Sequence, residues 1–275
     1  MLTLLIALLA NPTATAGCEQ VAGIERLAAD RDMQWLVLGE QHGTSEMPKA
    51  FADVVCGLAR KRKRIVVGIE YPAEEQQRID AFIASDGGKA ATEALLASGM
   101  WRATMQDGRA SEAFLRLIER LRQFRQQKLI ERVVAIQPSW PGSSAAYERA
   151  MASQLIEVRK QSPSALVAVL VGNMHARNSK AENAKTAPMA SFLPPASTRT
   201  INMIADGGAQ WGCFVDAASG GNQPVCGKRD NAKVSVPYTI GISLVSPPPQ
   251  YNGVFYIGRP TTSSAPAVAS LVTRD

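Results

Sequence analysis

The chain has 275 residues, 46% of them hydrophobic, which is enough for one large core and fits one α/β domain better than two. Lys and Arg number 30 against 24 acids, for a net charge of +6 and a pI near 9.3. That excess suits an anionic partner such as a membrane surface or an acidic ligand, and the export signal read next argues against nucleic acid.

Leu2 to Ala10 form an apolar run too short to span a bilayer, and Ala14-Thr15-Ala16 then matches a signal-peptidase site. Residues 1–16 are therefore expected to be a signal peptide, although no Lys or Arg precedes the apolar run. The mature chain is expected to start at Gly17 in the periplasm or outside the cell. Thr15-Ala16-Gly17-Cys18 resembles a lipoprotein box with Thr in place of Leu. Lipid on Cys18 would strand Cys56 as an odd thiol in an oxidising space, so a Cys18–Cys56 disulfide is preferred to anchoring through Cys18. Cys213 and Cys226 flank a turn-rich loop, Asp216 to Pro224, and are expected to staple it. Four cysteines allow three pairings.

A helix is expected over Glu19 to Arg31 and a strand over Gln34 to Leu38. Ser45-Glu46-Met47-Pro48 starts a second helix, whose Phe51, Val54, Val55 and Leu58 recur at helical spacing. It ends in the basic run Arg60 to Arg64, where cations oppose the helix dipole. A strand over Ile65 to Ile69 follows. From Ala73 to Lys128 the pattern is helical, broken near Asp86-Gly87-Gly88 and Gln106-Asp107-Gly108, with Phe114, Leu117, Ile118, Leu121 and Phe124 on one face. Val133 to Ile136 is a third strand, Tyr147 to Lys160 a crossover helix, and Ala165 to Val171 a fourth strand. This order predicts a mixed α/β fold with a largely parallel central sheet flanked by helices. Arg199 to Ile204, Tyr238 to Val245 and Gly253 to Ile257 are strands without intervening helices, so the C-terminal part should add antiparallel or edge strands. A single α/β domain is expected over 17–260, with Thr261 to Asp275 a mobile tail.

The chain has two histidines, and both follow an apolar strand that stops at glycine: Leu38-Gly39-Glu40-Gln41-His42 and Val171-Gly172-Asn173-Met174-His175. A third strand ends in Gly68-Ile69-Glu70-Tyr71-Pro72. Functional side chains collect where sheet strands give way to loops, because a rigid backbone there aims them into a cleft. His42, His175, Glu40 and Glu70 are thus expected to form one site, with the imidazoles within about 10 Å of each other. Residues two apart on extended backbone point the same way, which groups Glu40 with His42 and Asn173 with His175. Two imidazoles with carboxylates can bind a divalent metal, zinc or manganese, that acidifies a bound water. Without metal the same set is a general acid/base pair. Arg109 and Ser111 could clamp an anion, although Ser111 also reads as a helix start, and Tyr71 is a further candidate contact.

At these residues the sequence resembles the superfamily that groups erythromycin esterases, ChaN-like haem-uptake lipoproteins and the Tiki/TraB putative metalloproteases. The resemblance covers roughly residues 35 to 205. It implies a mixed α/β fold, one cleft at the strand ends, and functional roles for Glu40, His42, Glu70 and His175. The chain is shorter than the erythromycin esterases and lacks their further helical region and histidines. The reading is an exported hydrolase-like protein that cleaves an ester, lactone or peptide bond in a small-molecule or peptide substrate. The alternatives are a ChaN-like protein binding haem or iron without turnover, and a binding module whose histidines merely hold loops.

Overall fold

The computed structural model describes residues 17–61, 64–215, 224–234, 238–244 and 248–268. The expected signal peptide, Arg62 and Lys63 of the basic run, residues 216–223 of the stapled loop, Val245, Pro247 and residues 269–275 of the tail lie outside these. In chain order the strands are β1 (Trp35–Glu40), β2 (Ile65–Pro72), β3 (Arg132–Gln137), β4 (Leu166–Gly172), β5 (Thr198–Ile204), β6 (Gly208–Val215), β7 (Pro224–Asn231), β8 (Gly241–Ser243) and β9 (Gly253–Tyr256). The helices are α1 (Ile24–Ala29), α2 (Glu46–Ala59), α3 (Gln76–Ala84), α4 (Lys89–Leu96), α5 (Gly99–Arg102), α6 (Glu112–Gln126) and α7 (Ser144–Gln161).

The central sheet runs β3-β2-β4-β1-β5-β9-β8, parallel throughout except where β8 meets β9. The inner strands β1, β2 and β4 are almost continuously apolar until Glu40 and Glu70 near their carboxyl ends, and successive residues go to opposite faces. Leu36, Leu38, Val67, Ile69 and Leu170 pack under α2 and α6, while Trp35, Val37, Val66, Val169 and Val171 pack under α7. Each such side chain taken from water contributes on the order of 1.5–3 kcal/mol, so both faces are firmly held.

The chain first moves outward from β1 to β2 and β3, leaving a gap that β4 fills on the way back. Right-handed crossovers put helices of opposite travel on opposite faces, which is why α7 lies across the sheet from α2 and α6. The reversal puts a switch of chain direction at the carboxyl ends of β1, β4 and β2, the position where open α/β sheets bind ligands.

The C-terminal part adds the expected antiparallel strands, in β6–β7 and at the edge strand β8, but differs in which segments supply them. β5 and β9 are not antiparallel or edge strands: β5 lies inside the sheet, parallel to β1, and β9 is parallel to β5. The excursion between them is made by the antiparallel pair β6–β7 and by β8 instead of by a helix. β6 and β7 were not predicted as strands because residues such as Gln210, Lys228, Arg229 and Asp230 give them no apolar alternation. The first helix is shorter than Glu19 to Arg31, since Gly23 adopts φ +82 against the Ile242 carbonyl and the helix starts only after it. Of the predicted Tyr238 to Val245 strand, the described residues 238–244 form strand only at β8.

Thr261 to Val268 is not free. The Ser45 amide donates to the Thr262 carbonyl at 2.9 Å, Ser264 donates to the Gly43 carbonyl at 2.8 Å, and Ala267 to the Ala110 carbonyl at 3.0 Å. Composition alone hides this, because small polar residues satisfy a backbone strap as well as they do a loose tail. Cys18 is bonded to Cys56, and Cys213 to Cys226, which faces it in the β6–β7 register. Two disulfides fit maturation in an oxidising compartment, periplasmic or extracellular. Among the described residues no helix is long and apolar enough to cross a membrane.

Candidate functional site

Adjacent parallel strands bring their carboxyl ends to one edge, so the sheet order sets Gln137, Glu70, Gly172 and Glu40 side by side. Glu70 is the centre. Its carboxylate is almost fully buried, and Oε2 accepts from the Gly172 amide at 2.6 Å. His42 Nε2 lies 3.5 Å from Oε2, and His175 Nε2 lies 3.5 Å from Oε1. Both imidazoles therefore face one carboxylate, inside the span expected from their matched strand ends.

Each ring is held from behind. His42 Nδ1 donates to Glu40 Oε1 at 2.9 Å, and His175 Nδ1 donates to Glu148 at 2.8 and 2.9 Å to its two oxygens. Glu148 also accepts from the Met189 amide at 2.7 Å, which ties α7 to the segment after β4. The turn after His42 needs glycine: Gly43 has φ +76, and a Cβ there would meet the Trp211 carbonyl oxygen at 1.9 Å. β6 thereby closes over the first histidine loop.

Arg109 is present at the site but its donors are committed. Nη1 donates to Glu70 Oε1 at 3.0 Å, to the Glu70 carbonyl at 2.9 Å and to Gln137 Oε1, while Nε and Nη2 donate to Asp107 Oδ2 at 2.9 and 2.6 Å. It organises Glu70 and is not a free anion clamp. Ser111 is buried as the N-cap of α6, accepting from the Phe114 amide, so the helix-start reading is the one observed. Tyr71 is wholly buried, stacks on Phe114 and donates to the Arg109 carbonyl, which makes it a support and not a contact surface. Asn173 contributes backbone: its amide donates to the Glu40 carbonyl at 2.8 Å and its carbonyl accepts from the Tyr251 hydroxyl at 2.6 Å.

Sequence reasoning missed Glu148, Gln137 and Tyr147. Gln137 was within reach, because it ends a strand beside Glu70. Glu148 and Tyr147 sit in the first turns of α7, and no local pattern separates such residues from an ordinary helix surface.

Burial and charge oppose each other here. Burial pushes Glu40 up, against the pull of His42. Burial alone would lower His42, yet Glu70 and Glu40 outweigh it and lift the imidazole to about 10. For Glu70 burial acts upward, but Arg109, His42 and His175 hold it well below the usual carboxylate range. His175 is also raised, with burial and the His42 charge opposing Glu148 and Glu70. Burial lifts Tyr147 to about 12, keeping its hydroxyl protonated.

No protein-family model matches the chain, and comparison with curated proteins finds no relative. Two solved structures are similar in fold. A histidine-to-asparagine variant of the erythromycin esterase EreC in its open conformation aligns with a TM-score of 0.64 at 10% identity, over 86% of this chain and 92% of that one. A succinoglycan biosynthesis protein aligns with a TM-score of 0.53 at 10% identity, over 88% and 91%. The fold that the three strand-end motifs imply is the one this chain shares with an erythromycin esterase.

Proposed function

We propose that the protein hydrolyses a small ester or lactone by acid/base chemistry divided between His42 and His175. The observation that carries this reading is Glu70 set between two glutamate-backed imidazoles. Both Nδ1 atoms are engaged at 2.8–2.9 Å, whereas both Nε2 atoms make longer ion pairs with Glu70 at 3.5 Å and are the less tightly committed nitrogens, the ones a bound molecule would meet. His42 lies between two buried carboxylates and keeps its proton, while the His42 charge works against protonation of His175. His175 is raised as well, against the opposing His42 charge, so its Nε2 is the base in the neutral form reached above its ordinary 6.5, where it takes a proton from water as the oxygen attacks the carbonyl carbon. His42 Nε2 is the acid that protonates the departing alkoxide. Glu70 stays ionised and offsets the imidazolium, and Glu40 and Glu148 fix the ring orientations, as the carboxylate of a catalytic triad does.

Zinc or manganese is the less favoured alternative. Among the described residues no group of three or more His, Cys, Asp or Glu side chains is arranged to hold a metal ion. A guanidinium 3.0 Å from Glu70 Oε1 also places a positive charge on the carboxylate a cation would need. Haem fits no better, because an iron on either Nε2 would stand against that same carboxylate. Both imidazole side chains are 21% exposed, which leaves them within reach of a small-molecule or short peptide substrate.

The test is a panel of esters, lactones and peptides, run with and without zinc, manganese or cobalt, on the wild type and on the His42→Ala/His175→Ala double variant. Turnover by the wild type alone, without added metal, is the expected result. No turnover above the double variant on any substrate would replace the hydrolase by a binding protein, and a Soret band on purified protein would make that protein a haem carrier.

A further inference from the structure

We propose that Trp140 is a stacking platform for the ring of a ring-bearing ester, an inference that rests on the hydrolase reading and names the substrate class for that site. Among the described residues the large hydrophobic side chains left in water are Met105, Trp140, Met174, Val225 and Ile240. Three of these stand on the loops that build the site: Met174 precedes His175, Met105 lies two residues before Asp107, and Trp140 is in the loop between β3 and α7. Packing does not account for Trp140, because 64% of it is exposed. An indole left open to solvent and joined to His175 through one intervening ring is surface available to an apolar ligand.

The path from this indole to the chemistry is continuous. The Trp140 and Tyr147 rings are 5.7 Å apart at 41°, and Tyr147 is 6.1 Å from the His175 imidazole at 53°. These separations lie within the range of tilted aromatic contacts. Tyr147 is only partly exposed and keeps its proton, so it spaces the two ends without carrying charge. A molecule whose carbonyl meets His175 Nε2 can therefore rest another part on Trp140 if that part has a flat apolar face. Aromatic rings and the axial C–H face of sugar rings share that chemistry. A linear alkyl ester offers no such face and gains little there.

The experiment compares phenyl acetate, a methyl tetra-O-acetylglucoside and ethyl acetate as substrates for wild type, Trp140→Ala and Trp140→Phe. Trp140→Ala should raise KM for a ring-bearing ester by about three- to tenfold, as loss of a ring stack does, leave ethyl acetate unchanged, and leave the melting temperature unchanged. Trp140→Phe should recover most of the loss. Which of the two ring esters responds identifies the ring. An equal effect on all three esters, or none, overturns the proposal. Fluorescence keeps the test separate from turnover, since Trp35 and Trp101 are buried and any signal of the partly exposed Trp211 remains in Trp140→Ala as the control. If nothing is hydrolysed but phenyl acetate quenches wild-type emission saturably and Trp140→Ala abolishes the quench, the platform stands and the hydrolase reading falls. Without saturable quenching the platform falls.

Discussion

A Cβ on Gly172 would lie 2.9 Å from His42 Nε2 and 3.5 Å from Glu70 Oε2. The last residue of β4 is thus the floor on which the first histidine lies, and its amide still reaches Glu70. Gly172→Ala should displace His42 and Glu70 together. The expected cost is about 1–3 kcal/mol of stability, typical of an added methyl in a packed site, with turnover lowered by about 100-fold as for a lost acid or base. Calorimetry and rates measured together check this. A Gly172→Ala protein with wild-type turnover would show that the imidazole does not work where it lies.

The presence of only two histidines makes their titration readable by NMR. His42 is expected to lose its proton near pH 10, and His175 earlier. After burial, which acts the other way, Glu70 is the largest influence on His42, so Glu70→Gln should move the His42 titration toward its ordinary 6.5. A His42 resonance that titrates before His175 would reverse their assignment as acid and base.

The layout of the site was legible in the sequence because short unbroken apolar runs that stop at glycine name both a strand and its end. Gly39, Gly68 and Gly172 made β1, β2 and β4 visible, and with them Glu40, His42, Glu70 and His175. What was not legible arises from contacts across the chain. Glu148 reaches His175 only because α7 crosses the sheet on that face, and Arg109 turns inward because Glu70, Gln137 and Asp107, from three separate segments, converge on it. Ser111 shows the opposite error: a hydroxyl at a helix start satisfies a backbone amide first.

Stability should carry the signature of the raised imidazole. A histidine whose folded proton affinity exceeds its unfolded one stabilises the fold fully below the unfolded value and ceases to do so as pH rises through the folded one. For His42 that window runs from 6.5 to about 10, and the rise in His175 adds the same sign. The melting temperature of the wild type should fall across that window. Glu70→Gln should flatten the fall, although it lowers stability at neutral pH by removing the partner of Arg109. A melting temperature independent of pH between 6.5 and about 10 would mean that His42 does not hold its proton in the fold.

Glu148 separates orientation from charge. Its carboxylate accepts from His175 Nδ1 and, through Oε2, from the Met189 amide. Glu148→Gln retains one carbonyl oxygen for the amide but loses the negative charge that helps to raise His175, so the His175 titration should fall. A base with weaker proton affinity takes a proton less effectively but is free at lower pH. The acidic limb of the kcat/KM profile should therefore move to lower pH while the plateau drops by about tenfold or more, the lower part of the range for general-base catalysis. Glu148→Ala should lose the ring orientation as well, with a larger drop that no change of pH restores. Profiles of the two variants that coincide would show that Glu148 acts only by packing α7 against the Met189 segment, and His175 would then need another source for its basicity.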